Sequence, residues 1–283
     1  MILRRKFTGI LLFLPIFLGT MVFFALPFGM VVSYSFGMGG GQSRFVGLEN
    51  YRKVLSSQAF QLAAGNTVKF LVIGVPLLLM LALGIALLLR QRLPLKKLCS
   101  NTILIPLVLP IASIVMVVEW LVPEQTLESP DSFWVLLLLY LWKNCGYITV
   151  LLLAGLSMIG QGLYDTAAIE GAGGWQKLRY ITLPLLKPSL AFSAVIGIIN
   201  SFKSYREAFL LGGRHPNEGI YMLQHFLNNN FENLNYARLA VASVMTALPI
   251  ILIAAAFLGK GKIASREEKN VVRKKRKQGG VYL

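Results

Sequence analysis

Long stretches of this chain carry no charge. No Asp, Glu, Lys or Arg occurs from Phe7 to Ser43, and the same holds for Phe70–Leu89, Asn101–Val118, Asn144–Gly160 and Leu239–Gly259. Over the whole chain only 14% of residues are charged, against about 25% in an average soluble domain. About 18 such apolar residues are enough to cross a hydrocarbon layer of about 30 Å as a helix. A soluble domain is therefore excluded, and a polytopic helical membrane protein is expected.

Other shortages exclude other classes. There are two cysteines, Cys99 in a basic loop and Cys145 inside an apolar run. They are expected at different depths, which rules out a disulfide framework. The two histidines, His215 and His225, have no other ligand types near them, so no metal site is expected. A phosphate loop requires G-x-x-x-x-G-K-[ST]. The nearest stretch, Gly259-Lys260-Gly261-Lys262-Ile263, fails the spacing and lacks the hydroxyl. No nucleophile–base or metal-ligand set lies in the spans, which argues against an intramembrane enzyme. No internal repeat is evident, as an ion-driven secondary transporter would be expected to show.

Six spans are predicted, at 9–35, 67–89, 103–122, 133–160, 185–211 and 237–259, forming one transmembrane domain over 9–259. The start resembles a signal peptide, with Arg4, Arg5 and Lys6 before an apolar run. That run is far longer than the roughly 7–15 residues of a signal h-region, so it reads as an uncleaved first span. Pro15, Pro27, Pro76, Pro106, Pro110 and Pro249 lie in or near the spans and predict kinked helices. Of the 28 Lys and Arg, 19 fall in the N-terminal 1–8, the 90–102 and 161–187 loops and the tail 260–283. Such an excess marks the cytoplasmic side, so both termini are expected in the cytoplasm of a cell membrane. The net charge of +16 is then mainly a topology signal, and no nucleic-acid partner is expected. The basic tail reads either as a disordered anchor or as a segment that binds anionic membrane lipids.

The segment from Tyr164 to Pro188, YDTAAIEGAGGWQKLRYITLPLLKP, is polar and glycine-rich between two apolar runs. Asp165 and Thr166 favour a helix N-terminus. Gly171 suits a left-handed stop. Trp175–Ile181 has the size of a second short amphipathic piece, and Leu183-Pro184 marks re-entry to the bilayer. By pattern alone, a connector and a docking helix fit equally well.

This segment resembles the EAA loop of ATP-binding-cassette importer permeases. The loop's pattern is Glu-Ala-Ala, three residues, Gly, nine residues, Ile, one residue, Leu-Pro. Here Asp165-Thr166-Ala167 is followed by Ala168-Ile169-Glu170, Gly171, residues 172–180, Ile181, Thr182, Leu183 and Pro184. The departures are Asp for Glu and Thr for the first Ala. The resemblance continues in Phe45–Tyr51, Asn66-Thr67, Trp142-Lys143-Asn144 with Gly146, Ala154-Gly155-Leu156 and Gly212-Gly213. Two further departures are the short 123–132 loop and Arg214-His215-Pro216. The combination resembles the first of two non-identical permease subunits of the carbohydrate-uptake type.

The resemblance implies a type I importer permease fold, with six membrane helices and a cytoplasmic coupling helix in the 161–187 loop. It assigns ATPase coupling to Asp165, Thr166, Ala167, Ala168, Glu170, Gly171, Ile181, Leu183 and Pro184. It also implies separate ATPase subunits that bind ATP and Mg, a second permease that is a different chain, and an extracytoplasmic solute-binding protein. This chain would then hold no cofactor of its own and form the pathway for a sugar or glycoside. A glycerol phosphoester or polyamine importer, or an ion-driven transporter, are the alternatives.

Charge inside a span is costly and usually faces an interior or a cavity. Lys143 lies about 15 Å from the start of its span and Glu119 about 24 Å along its own, at 1.5 Å per residue. Both are expected in the outer half, approaching each other or sharing a polar cavity with Asn144. A plain helix–helix contact and a substrate role both remain open for them. Lys203 and Glu207 are spaced i, i+4 and share a face, near the interface where long side chains snorkel. Asn200, Lys203 and Tyr205 are candidates for the lining of a sugar pathway. Trp120 and Trp142 read as interface or packing residues.

Overall fold

A computed structural model describes residues 12–37, 45–90 and 102–252. The basic residues of 1–8 and of the tail from 260, Cys99, and Arg92, Lys96 and Lys97 lie outside the described residues. The described residues are mainly helical. They fall into two compact units, one of 12–64 with 223–250 and one of 65–222 with 251–252.

In the first unit, α1 runs over Leu12–Ser35. None of its side chains from Leu12 to Tyr34 is buried. A helix apolar on every face needs a membrane or a partner around it. Its C-terminal end is held by the segment Phe45–Tyr51 and the short α2, Glu49–Leu55. Asn50 Nδ2 donates to the carbonyls of Ser35 at 3.1 Å and Gly37 at 2.7 Å. The hydroxyls of Ser35 and Tyr51 lie 2.8 Å apart, and the Phe36 ring packs on Phe45 and Tyr51. The same unit contains α12, Leu223–Glu232, and most of α13, Tyr236–Leu252. Phe226 of α12 meets Phe60 edge to face at 5.4 Å between ring centroids.

The long helix α3, Gln58–Arg90, carries Pro76 in its interior. It is followed by α4 (Ile105–Val108), α5 (Ile111–Leu121), α6 (Glu124–Leu127) and α7 (Ser132–Ser157). Next come α8 (Gln161–Ile169), α9 (Gly174–Lys177), α10 (Leu183–Lys203) and α11 (Tyr205–Gly212). The core of the second unit is built on α7. Leu136, Tyr140, Ile148, Leu152 and Leu156 pack with Phe70, Leu78, Ala82 and Ala86 of α3 and Leu186 of α10. The spacing of Leu78, Ala82 and Ala86 is one helical face, and the two alanines make that face slim. Small residues let membrane helices approach closely. Gly155 shows this at α10, where an added Cβ would lie 2.8 Å from the Cβ of Ser189. Since Gly155 meets Ser189 and Asn144 meets Asn200, α7 and α10 run antiparallel.

The expected single span at 103–122 is broken. Leu109 and Pro110 are extended, with ψ of 138° and 131°, so the run splits into α4 and α5. The pyrrolidine ring of Pro110 disfavours the helical conformation at the residue before it. Among the described residues, four helices are long and apolar enough to cross a membrane, and α5 and α13 are shorter apolar helices. The expected sixth span continues from α13 into residues 253–259, outside the described ones.

Two wide helical turns share a cause. Leu26 N–H bonds Met21 O, and Leu183 N–H bonds Leu178 O, each an i→i−5 bond. In both places a proline comes next, as Leu26-Pro27 and Leu183-Pro184. Proline cannot donate and its ring collides with the carbonyl four residues back. A π turn widens the helix where that ring must fit. As a result α9, the turn Leu178–Thr182 and α10 join without a break from Gly174 to Lys203, and α11 carries the same helical segment on to Gly212, so Trp175–Ile181 is not a separate amphipathic piece.

Candidate functional site

The 161–184 segment forms a helical hairpin with an exposed tip. The extended backbone of Gly160 (ψ 136°) opens α8 at Gln161, not at Asp165. Asp165 and Thr166 therefore lie within the helix and do not cap it, although Asp165 accepts from Gln161 Nε2 at 3.2 Å. The stop is the one expected from Gly171, whose φ is +81°. Gly171 N–H bonds Ala168 O at 3.1 Å and Ala172 N–H bonds Ala167 O at 2.8 Å. Those two bonds define a Schellman end, which a left-handed glycine permits without strain. Gly173 N–H then bonds Gln176 Oε1 at 2.7 Å, half of a capping box that starts α9.

No residue of α8 is buried. Asp165, Thr166, Ala168, Glu170 and Gly171 are exposed, as is Pro184, while Ala167, Ile181 and Leu183 are half-buried. Large apolar side chains are exposed with them: Ile169 is 88% accessible, Trp175 69% and Tyr180 70%. A polar hairpin that leaves such groups uncovered has the composition of an interaction surface.

The hairpin is fastened by residues that no local sequence pattern marks. Tyr164 on α8 lies under Arg90, whose guanidinium carbon is 4.3 Å from the ring centroid. Arg90 Nη1 donates to Tyr164 Oη at 2.8 Å. Tyr164 Oη and Thr182 Oγ1 are 2.9 Å apart, and Thr182 Oγ1 donates to Lys177 O at 3.3 Å. These partners are distant in sequence, and only the fold brings them together.

The second polar site lies between α7 and α10–α11. Lys143 Nζ is 2.6 Å from Glu207 Oε1, so Lys143 pairs with Glu207 and not with Glu119. Glu207 is 5% accessible, so it does not snorkel outward beside Lys203. Its other oxygen, Oε2, is buried with no hydrogen-bond partner among the described residues. Beside the pair, Asn200 Nδ2 donates to Asn144 Oδ1 at 2.8 Å, and Asn144 Nδ2 donates to Tyr140 O at 2.8 Å. The signal for Glu207 was available: it is the one carboxylate between Gly171 and Asn217, and a charge within a span calls for an opposite one.

The remaining candidates are dispersed. Glu119 is exposed and lines a cavity of about 780 Å³ with Glu124, Glu128 and His215. Lys203 and Arg206 are exposed. Tyr205 is half-buried against Phe209. Trp120 and Trp142 are both exposed. Among the described residues, no three His, Cys, Asp or Glu side chains group to hold a metal ion.

Residues 74–260 match the family described as binding-protein-dependent transport system inner membrane component. The chain is 28% identical to the trehalose/maltose transport system permease protein MalF of Thermococcus litoralis, over 92% of this chain and 95% of that protein. It is 29% identical to the sulfoquinovosyl glycerol transport system permease protein SmoG of Agrobacterium fabrum, over 76% of each. In fold it is similar to a chain of a bacterial alginate ABC transporter solved in complex with an alginate pentasaccharide-bound periplasmic protein. That match has a TM-score of 0.73 and 18% identity, over 90% of this chain and 93% of the other.

Proposed function

The chain belongs to the binding-protein-dependent transport system inner membrane components, and on that premise we propose that it is the permease subunit of an importer for a sugar or glycoside. Separate ATPase subunits bind ATP and Mg and supply the energy. A second, different permease completes the pathway, and an extracytoplasmic binding protein delivers the solute. The 161–187 loop and both termini face the cytoplasm. The observation that carries this reading is the exposed hairpin tip at Ile169–Trp175, closed by Gly171, with relatives named for trehalose, maltose and sulfoquinovosyl glycerol transport beside it.

In this reading Asp165, Thr166, Ala167, Ala168, Glu170 and Gly171 form the surface that docks on the ATPase. Ile181, Leu183 and Pro184 carry its motion into α10. Asn144, Asn200, Lys143, Lys203, Tyr205 and Glu119 line or border the solute pathway. Lys143 is neutralised by Glu207, so its part there is as a hydrogen-bond donor more than as a net charge. The exposed Lys203 and Arg206 favour a second cargo class, a glycerol phosphoester, over a polyamine.

The test is isolation of the tagged chain from native membranes, beside an Ile169→Glu variant. The wild type is expected to carry an ATPase and a second permease. The variant is expected to lose the ATPase at least tenfold while it keeps the second permease. A wild-type chain that travels alone under gentle solubilisation overturns the importer reading.

A further inference from the structure

Among the apolar and aromatic side chains of α8, Tyr164 is the one packed on the core of the second unit, and no residue of α8 is buried. A helix on the surface with so little buried area is held by few contacts, and its position depends on them. Tyr164 reaches two different segments at once. Arg90 is the last residue of α3, and Thr182 ends the wide turn that leads into α10. The hydroxyl geometry fixes the direction of the chain. Arg90 can only donate, so Tyr164 Oη accepts from it at 2.8 Å and gives its single proton to Thr182 Oγ1 at 2.9 Å. Thr182, which is 3% accessible, passes its own proton to Lys177 O at 3.3 Å. Each hydroxyl thus accepts once and donates once. A bond that starts from a cation is about twice as strong as a neutral one.

We propose that Tyr164 is a positioning residue that ties displacement of α8 to α3 and to the Leu178–Thr182 turn together. The inference rests on the proposed docking of an ATPase at the hairpin tip. Ile169 and Trp175 meet the partner, and Tyr164 carries the load inward. Without its hydroxyl, α8 still docks but moves without pulling the turn.

Tyr164→Phe removes one oxygen and keeps the ring under Arg90. Thr182→Val removes the same bond from the other side. The complex isolated from native membranes is measured by amide hydrogen exchange, before and after trapping with ATP, Mg and orthovanadate. In the wild type, trapping is expected to change exchange in both 161–171 and 178–186. In each variant the change in 161–171 is expected to persist, and that in 178–186 to fall at least threefold. In the trapping response of 178–186 the double variant is expected to match either single one, since all three lack the Tyr164–Thr182 bond, although Tyr164→Phe also loses the bond from Arg90 and Thr182→Val the bond to Lys177 O.

If both segments respond in the variants as in the wild type, Tyr164 does not transmit the motion and the inference is overturned. It is overturned equally if exchange in both segments simply rises by the same amount with and without trapping, because that is loss of structure. If the wild-type complex holds its ATPase but 161–171 does not respond to trapping, the docking reading itself fails. Lower recovery of one variant is checked by the other, which breaks the bond from the buried side.

Discussion

Replacing Glu207 with alanine is expected to destabilise the protein by about 3–5 kcal/mol, the usual cost of breaking a buried ion pair at one partner. Lys143 Nζ and Glu207 Oε1 are 2.6 Å apart, with side chains 19% and 7% accessible. Removal of the carboxylate leaves an ammonium group that can neither reach bulk water easily nor find another anion at that distance. Lys143→Ala is expected to cost a similar amount, because Glu207 Oε2 already lacks a hydrogen-bond partner among the described residues. The exchanged pair, Lys143→Glu with Glu207→Lys, should recover part of the loss. The double variant Lys143→Met, Glu207→Leu should approach wild-type stability, since paired apolar replacements of similar volume are often neutral. Thermal unfolding in detergent, followed by monodispersity on size exclusion, checks all four. If Glu207→Ala unfolds at the wild-type temperature, the pair is not a structural tie.

The second large effect is expected at Gly146. An added Cβ would fall inside the contact distance of the Ile103 carbonyl oxygen and 2.6 Å from its carbonyl carbon. Both atoms are backbone, so no rotamer change relieves the overlap. Gly146→Ala is therefore expected to push the segment before α4 away from α7 and cost about 3 kcal/mol, the upper part of the range for overpacking. Gly84→Ala is the matched control. It lies within α3, nothing sits within 4 Å of its added Cβ, and the change removes a glycine from a helix interior, so it should be tolerated. Unfolding temperatures of the two variants should move apart. Equal values would show that the close approach at Ile103 is not required for stability.

Much of the architecture was legible because the solvent imposes it. Charge-free runs of span length have few alternatives to membrane helices, and the long helices α1, α3 and α7 fall where those runs do. Gly171 was legible too, since a left-handed stop narrows the choice of residue to very few. Pairings were not. Lys143 had to find a carboxylate, but depth along a straight helix pointed to Glu119, and the Leu109–Pro110 break shows that no straight helix leads there. The start of α8 was equally hidden. Asp165 and Thr166 suit a cap in isolation, whereas the extended backbone of Gly160 sets the actual entry at Gln161, one helical turn before Asp165. Tyr164, Arg90 and Thr182 belong to three segments, so only the folded chain brings them together.

The wide turn at Leu178–Thr182 has a consequence for phase. An α-helix advances about 100° per residue, and an i→i−5 turn takes in one residue more than the regular ladder. Everything downstream is thereby rotated by about that angle relative to a helix without the insertion. Gly197, whose carbonyl accepts from Tyr140 Oη at 2.9 Å, and Asn200, which meets Asn144, face α7 with that rotation in place. Pro184 thus acts on residues it never touches: by demanding room for its ring, it sets the clock position of the polar face of α10.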